Sequence, residues 1–218
     1  MDELIELKGV TSLVIENKVV FAKLVESFYA YTQDTTEIKL FGDKYESIKR
    51  DDLMIVTDIL NYDVNSTSII KFLYGDLENQ IANNPELHTE IEDAIGKVAT
   101  LIVRETLDFE LDLHFSELTM QKIFKALDIK IETSELTIFE RMSDIILIFK
   151  YMRKKKLLAL VNLGTYLSLE QIAATVEYAS LQNITMLLLD NAVFNAPRNL
   201  TQYVMDTDFV VIKTNTAM

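Results

Sequence analysis

The sequence predicts an α/β fold whose α/β part is split by a helical insertion. Three observations carry this. Short β-rich runs alternate with helix-periodic stretches at both ends of the chain, the signature of strands joined by helices. Residues 58 to 150 instead read as helices and hold 18 acidic against 8 basic residues, whereas the two flanks together hold 16 and 13. LLALV at 157 to 161 is a continuous apolar run, the type of strand that a parallel sheet buries on both faces. Residues 1–57 and 151–218 are therefore assigned to one α/β domain, and 58–150 to an α-helical one.

In order along the chain, TSLVI (11 to 15) is a β-branched strand, and Asn17 caps a helix whose apolar face is Phe21, Leu24, Val25 and Phe28. EIKLF (37 to 41) and LMIV (53 to 56) are the next strand candidates. STSIIKFLYGDLENQI (66 to 81) is helical, and Asn84 with Pro85 opens a further helix. That helix carries a stripe at Leu87, Ile91, Ile95, Val98 and Ile102, suited to packing on another helix or on a partner. LDFELDLHFSEL (107 to 118) alternates apolar and polar residues and reads as a strand with a dry face and a wet face, although Leu107, Leu111 and Leu118 also fit a helical face. Ser116 is the expected cap of LTMQKIFKAL (118 to 127), IKIE (129 to 132) is a second short alternating run, and helix signals resume at Ser134 and continue to Met152. After LLALV, Ser168 and Gln171 form a capping box, and MLLLD (186 to 190) and FVVI (209 to 212) are the last two strands.

Composition narrows the chemistry. Apolar residues make up 49% of the 218, enough for a substantial core. With no cysteine, disulfides, thiol catalysis and thiolate metal sites are excluded together, and His88 and His114 alone give zinc few ligands. No apolar run approaches the roughly 20 residues of a membrane span, and MDELIELKG has no basic start of a signal peptide, so a soluble, cytoplasmic protein without a membrane partner is expected. Five glycines, no two of them close, leave no phosphate cradle and no dinucleotide fingerprint. Asp190, after MLLL, resembles the acidic end of a magnesium-binding strand, but such an ending is common at the edge of a sheet.

The carboxylates are the stronger signal. Asp108, Glu110 and Asp112 offer hard oxygens, Glu132 comes alongside if IKIE lies near LDLHF, and Glu105 and Glu117 are within reach. Such a set suits calcium better than a transition metal. The residues leave open a divalent-cation site, a solvated acidic face, or the carboxylates of a metal-dependent nuclease. His114 shares the wet face with Asp112 and Ser116 and reads as a surface residue, as does His88 among its acidic neighbours. A net charge of -13 weighs against nucleic acid, yet KYMRKKK concentrates Lys150, Arg153, Lys154, Lys155 and Lys156 where a helix hands over to a strand. Lys39, Lys44, Lys49 and Arg50 form a looser group, diluted by Asp43, Glu46, Asp51 and Asp52, and Lys39, Lys49, Arg50, Lys125 and Lys130 are the fallback contacts. Without interleaved aromatics, these fit a duplex backbone better than stacked single strands.

LVIENKVVFAKLVESFY (13 to 29), DDLMIVTDILNYDVNSTSIIKFLYGDLENQI (51 to 81), ALDIKIETSELTIFE (126 to 140) and KYMRKKKLLALVNLGTYLSLEQI (150 to 172) together resemble the accessory spacer-acquisition (adaptation) protein family of subtype II-A CRISPR systems, in its short form. The resemblance spans essentially the whole chain. It implies no enzymatic activity, a split α/β head like the nucleotide-hydrolase fold without its phosphate loop, and an elongated helical leg. It further implies a homotetrameric ring around double-stranded DNA loaded from an end, calcium bound by carboxylates, and the CRISPR integrase proteins and effector nuclease as partners. Carried onto this sequence, it gives Glu110 and Asp112 as the first calcium ligands, with Glu105, Asp108, Glu117 and Glu132 beside them. His114 stands where relatives often have an acid, and the chain starts a few residues later than relatives usually do. A metal-dependent nuclease and a pure protein scaffold are the rival readings.

Overall fold

The computed structural model describes residues 4–34, 37–42, 44–133, 137–152, 154–197 and 200–215. The elements, in chain order, are β1 (Val10–Ile15), α1 (Lys18–Tyr29), β2 (Leu53–Val56), α2 (Thr67–Ala82), α3 (Pro85–Thr106), α4 (Met120–Ala126), α5 (Ile138–Tyr151), β3 (Leu157–Val161), α6 (Leu163–Tyr166), α7 (Leu169–Leu181), β4 (Met186–Asp190), β5 (Thr201–Met205) and β6 (Val211–Asn215). They form two compact units. The first comprises Met1–Val64 with Thr133–Met218, the second Asn65–Glu132. These limits fall inside the segment 58–150 drawn from sequence texture, because α5 belongs with the sheet.

The first unit is a six-stranded mixed sheet in the order β2-β3-β4-β1-β5-β6. Five strands run parallel, and β6 returns antiparallel along β5. β1, β3 and β4 are buried throughout, which is why their sequences carry no polar alternation. On one face Leu13, Ile15, Leu157, Ala159, Val161, Leu187 and Leu189 pack under Phe21 and Phe28 of α1. Successive strand residues point to opposite faces. Ile172, Val176 and Ala179 of α7 are buried against the other side, and α7 packs on α5. The Asn17 carboxamide accepts from the N–H groups of Val19 and Val20 to start α1. Ser168 and Gln171 form the expected box at α7, and Thr137 with Glu140 forms another at α5.

Several expectations change. EIKLF is not a strand; Phe41 makes a single antiparallel bridge to Ser47. FVVI starts too early: Phe209 has a φ of 65° and lies in the turn before β6. Asp206 explains that turn, its Oδ1 accepting from the N–H groups of both Asp208 and Val210. The sequence reading missed β5, where Thr201 and Tyr203 are partly exposed and the buried Gln202 interrupts the apolar pattern.

The second unit consists of α2, α3 and α4, with α2 packed on both others. Asn84 caps α3 by accepting from Leu87 N–H, with Pro85 at the first position. The cap of α4 is Thr119, not Ser116, whose hydroxyl instead accepts from Lys122 Nζ. Tyr74 of α2 meets Phe124 of α4 edge to face at 5.5 Å, and its hydroxyl donates to the carbonyls of Phe124 and Ile129. LDFELDLHFSEL is neither strand nor helix, and every residue from 107 to 119 is exposed. IKIE is not a strand either; the side chain of Asn65 takes the place of one, accepting from Ile131 N–H at 2.8 Å and donating to its carbonyl at 2.9 Å. Ser134 lies outside the described residues. Among the described residues no helix is long and apolar enough to cross a membrane.

The Asn65 side chain pairs with both backbone groups of Ile131, so Asn65→Ala should cost about 1 to 3 kcal/mol by leaving them without their partner. Hydrogen exchange should show Ile131 N–H losing protection while the β3 and β4 amides keep theirs. Unchanged protection at Ile131 would contradict this.

Candidate nucleic-acid interface and carboxylate segment

The basic run begins at the end of α5 and ends at the start of β3, and most of it is engaged. Lys156 N–H donates to the Asp52 carbonyl at 2.7 Å, and its Nζ lies 3.0 Å from Glu46 Oε1 and 4.0 Å from Asp52 Oδ2. Lys155 Nζ donates to the Leu53 carbonyl at 2.9 Å; burial, the main cause, and the nearby Arg50 push its amine below the usual lysine range. Lys150 Nζ donates to Gln182 Oε1. Arg50 donates to the same Leu53 carbonyl at 3.4 Å. The Lys155 and Lys156 contacts tie the start of β3 to the start of β2, whereas the Lys150 contact joins the end of α5 to the end of α7.

Glu46 is itself a built feature. Its Oε2 accepts from Lys44 N–H at 3.1 Å, and the hydrogen bond from Lys156 holds its carboxyl below the usual range. A Cβ at Gly42 would meet this carboxylate, so a substitution there would push the Glu46 side chain out of its present place. Lys154, Lys39, Lys49 and Lys125 are exposed. Lys130 is exposed too but is paired with Asp128 at 2.7 Å, which holds its amine above the usual range. Arg153 lies outside the described residues. Sequence alone does not separate the lysines that close the sheet from those that face solvent, because they are adjacent in the chain.

The carboxylates Glu105, Asp108, Glu110, Asp112, Glu117 and Glu132 are all exposed. Their oxygens are the right chemistry for calcium. Among the described residues, no three carboxylate or histidine side chains come together as a metal site. Lys122 Nζ takes the Glu117 backbone carbonyl and Ser116 Oγ. His114 is exposed, and His88 lies 3.4 Å from Glu92 on the next turn of α3. The apolar partners of the acids are bare as well: Leu107, Phe109, Leu111, Leu113, Phe115 and Leu118, with Leu111 73% exposed. α3 buries no residue at all, leaving Leu87, Val98, Leu101, Ile102 and Val103 exposed. So large an apolar surface marks an interface.

The sheet unit is split by a helical insert whose α3 face is uncovered in one chain, the mark of a protein with an interaction surface. The comparisons specify the family. A family model described as CRISPR-associated protein (Cas_Csn2) matches residues 30–209. The CRISPR-associated protein Csn2 of Streptococcus agalactiae is 42% identical over 218 residues, covering 99% of this chain and 96% of that protein. Csn2 of Enterococcus faecalis is 41% identical over 209 residues, covering 96% and 94%. The crystal structure of Stu0660 of Streptococcus thermophilus shares the fold with a TM-score of 0.58 at 12% identity, over 95% of this chain and 72% of that one. The chain belongs to the Csn2 family of CRISPR-associated proteins. Its role is accordingly non-enzymatic: a ring-forming protein of CRISPR adaptation that binds ends of double-stranded DNA.

The geometry separates the lysines by experiment. Lys155→Ala should destabilise the sheet unit by about 1 kcal/mol, because the Leu53 carbonyl loses a donor. Lys154→Ala should leave urea unfolding unchanged. Equal unfolding curves for all three proteins would remove the structural role of Lys155.

Proposed function

We propose that four copies of this chain close a calcium-tightened ring by burying the α3 face together with residues 107–118, and that the ring encloses linear duplex DNA. The observation that supports this best is the apolar face of α3 and the following segment, which one chain leaves in water. Glu110 and Asp112 are the first calcium ligands in this reading, with Asp108, Glu105, Glu117 and Glu132 as further donors. Because one chain does not gather them, ligation accompanies ordering of the segment in the assembly. When bound, calcium supplies charge neutralisation there.

Lys154 is the leading phosphate contact, with Arg153 beside it and Lys39, Lys49, Arg50, Lys125 and Lys130 as alternatives. Lys150, Lys155 and Lys156 contribute charge while serving the sheet. The finer fold reading, a nucleotide-hydrolase-like head without a phosphate loop, is supported by the link between β1 and α1, which is only Glu16 and Asn17. A cytoplasmic location and contact with the CRISPR integrase proteins and the effector nuclease complete the proposal.

Light scattering with calcium should give a particle near four times the 25.0 kDa chain, and chelator or the pair Glu110→Ala and Asp112→Ala should shrink or loosen it. A 25 kDa particle in every buffer would remove the ring.

Binding to linear duplex should be independent of sequence, with the log of the affinity falling by about 0.9 per neutralised phosphate per log unit of salt. Substituting Lys154 should weaken all sequences alike and reduce that slope. Closed circular DNA should bind worse than linear, since a ring cannot thread it; equal affinity would exclude end loading. Metal-dependent cleavage lost on Asp112→Ala would favour a nuclease, and no DNA binding in any buffer would favour a scaffold.

A further inference from the structure

Asp190 ends β4 in the middle of the sheet, not at its edge, and is only 3% exposed. Its Oδ1 accepts from Gly164 N–H at 3.0 Å, whereas its Oδ2 has no hydrogen-bond partner. A second buried oxygen without a partner, Asn162 Oδ1, stands at the end of the neighbouring strand. Leu160 pairs with Leu188 and Val161 with Leu189, and Asn162 N–H donates to the Leu189 carbonyl at 2.7 Å, so Asn162 follows in register beside Asp190. Asn162 has a φ of 58°, a left-handed conformation that asparagine tolerates and that ends β3. The lid over this corner is close: a Cβ at Gly164 would come within 3.1 Å of the Phe194 ring and 3.2 Å of Asp190 Oδ1.

Two buried acceptors without a donor are costly, and a bare carboxylate costs more. One proton removes both penalties. We propose that in mildly acidic solution Asp190 is a neutral carboxylic acid in the folded protein, that its proton on Oδ2 supplies the donor the Asn162 amide oxygen lacks, and that losing this proton as the solution turns alkaline loosens the end of β3 and β4 beneath Phe194. Burial supports this by pushing the Asp190 carboxyl up to about 6, against the smaller opposing pull of Gly164 N–H. Facing Asp190 are Gly164 of α6, Phe194 of the following loop and, by register, Val14 of β1 and Asn162 after β3; none of them titrates. No charged side chain contributes to the shift.

The sign follows from linkage. A carboxyl raised from 3.8 to about 6 gives stability that is whole below 3.8 and is lost as pH rises through about 6. The difference of roughly two pH units corresponds to about a hundredfold in the folding equilibrium at alkaline pH.

The test is urea unfolding of the full chain at fixed protein and calcium concentration. Asp190→Asn keeps the shape, accepts from Gly164 and carries a permanent donor. The gap between its curve and that of the natural chain should be smallest below about pH 4, open as pH rises to about 6, and stay open with the variant at higher urea at about pH 8. A variant that is weaker at about pH 8, or a gap that does not change with pH, overturns the proposal.

Infrared spectroscopy of the unaltered chain reads the same proton without any mutation. A protonated-carboxyl stretch should persist at about pH 5, disappear through about pH 6, and be absent from Asp190→Asn. A carboxyl already ionised at about pH 5 overturns it too. Asn162→Gly preserves the left-handed backbone and removes the acceptor, so the ionisation should move down; an unmoved midpoint eliminates the Asn162 contact.

Discussion

Everything in this chain depends on the parallel pairing of β2 with β3. Parallel neighbours cannot be joined by a tight turn and need a crossover. Here the crossover between Val56 and Leu157 contains four helices, three of them in the separate unit 65–132. The insertion is therefore a βαβ connection grown large, and the sheet closes only if its two ends return to one place. Lys155 and Lys156 secure that return through the Leu53 and Asp52 carbonyls. The basic run that looks like a nucleic-acid grip is thus first a seam. Its position at a strand start explains why neighbouring lysines differ so sharply, with Lys155 half-buried and Lys154 in water.

That seam marks how far the sequence could be read. TSLVI, LMIV, LLALV and MLLLD were legible because strands buried on both faces are written as unbroken apolar runs, and Asn17, Asn84 and Ser168 were legible because capping depends on one local side chain. β5 was not legible, since Gln202 is buried in it with Nε2 donating to the Phe194 carbonyl, a partner no local pattern reveals. EIKLF has strand composition but lacks a neighbour to pair with beyond the Phe41 bridge. The alternation in LDFELDLHFSEL was real in sequence and wrong as a strand, because a dry face needs something to cover it and one chain supplies nothing. The candidate ligands were legible by type only. No spacing along the chain brings them together, and one chain leaves them apart in water.

An acidic protein that binds DNA is a paradox only for a single copy. Long-range repulsion between a -13 chain and a phosphate backbone is screened over about 8 Å at physiological salt, so what matters is the local field in the channel. Closed symmetry brings one local patch to the axis several times. In the proposed ring, even one exposed lysine per subunit at the channel would become a belt. The same geometry makes affinity depend on assembly more steeply than on any one lysine.

On this reading the segment 107–118 couples two free energies that neither residue type could link alone. Leu107, Phe109, Leu111, Leu113 and Phe115 gain about 25 cal/mol per Å² when a second copy covers them. Asp108, Glu110 and Asp112 are interleaved with them, so covering the apolar side chains also draws three carboxylates out of water. Their mutual repulsion and lost hydration oppose the burial unless a cation is taken up in the same step. Calcium bound only in the assembled state stabilises it by mass action, and the assembly in turn raises the affinity for calcium. Alternation of apolar and acidic residues, unexplained as secondary structure, is then the sequence signature of that linkage: each residue type is unfavourable where it stands until the other is satisfied.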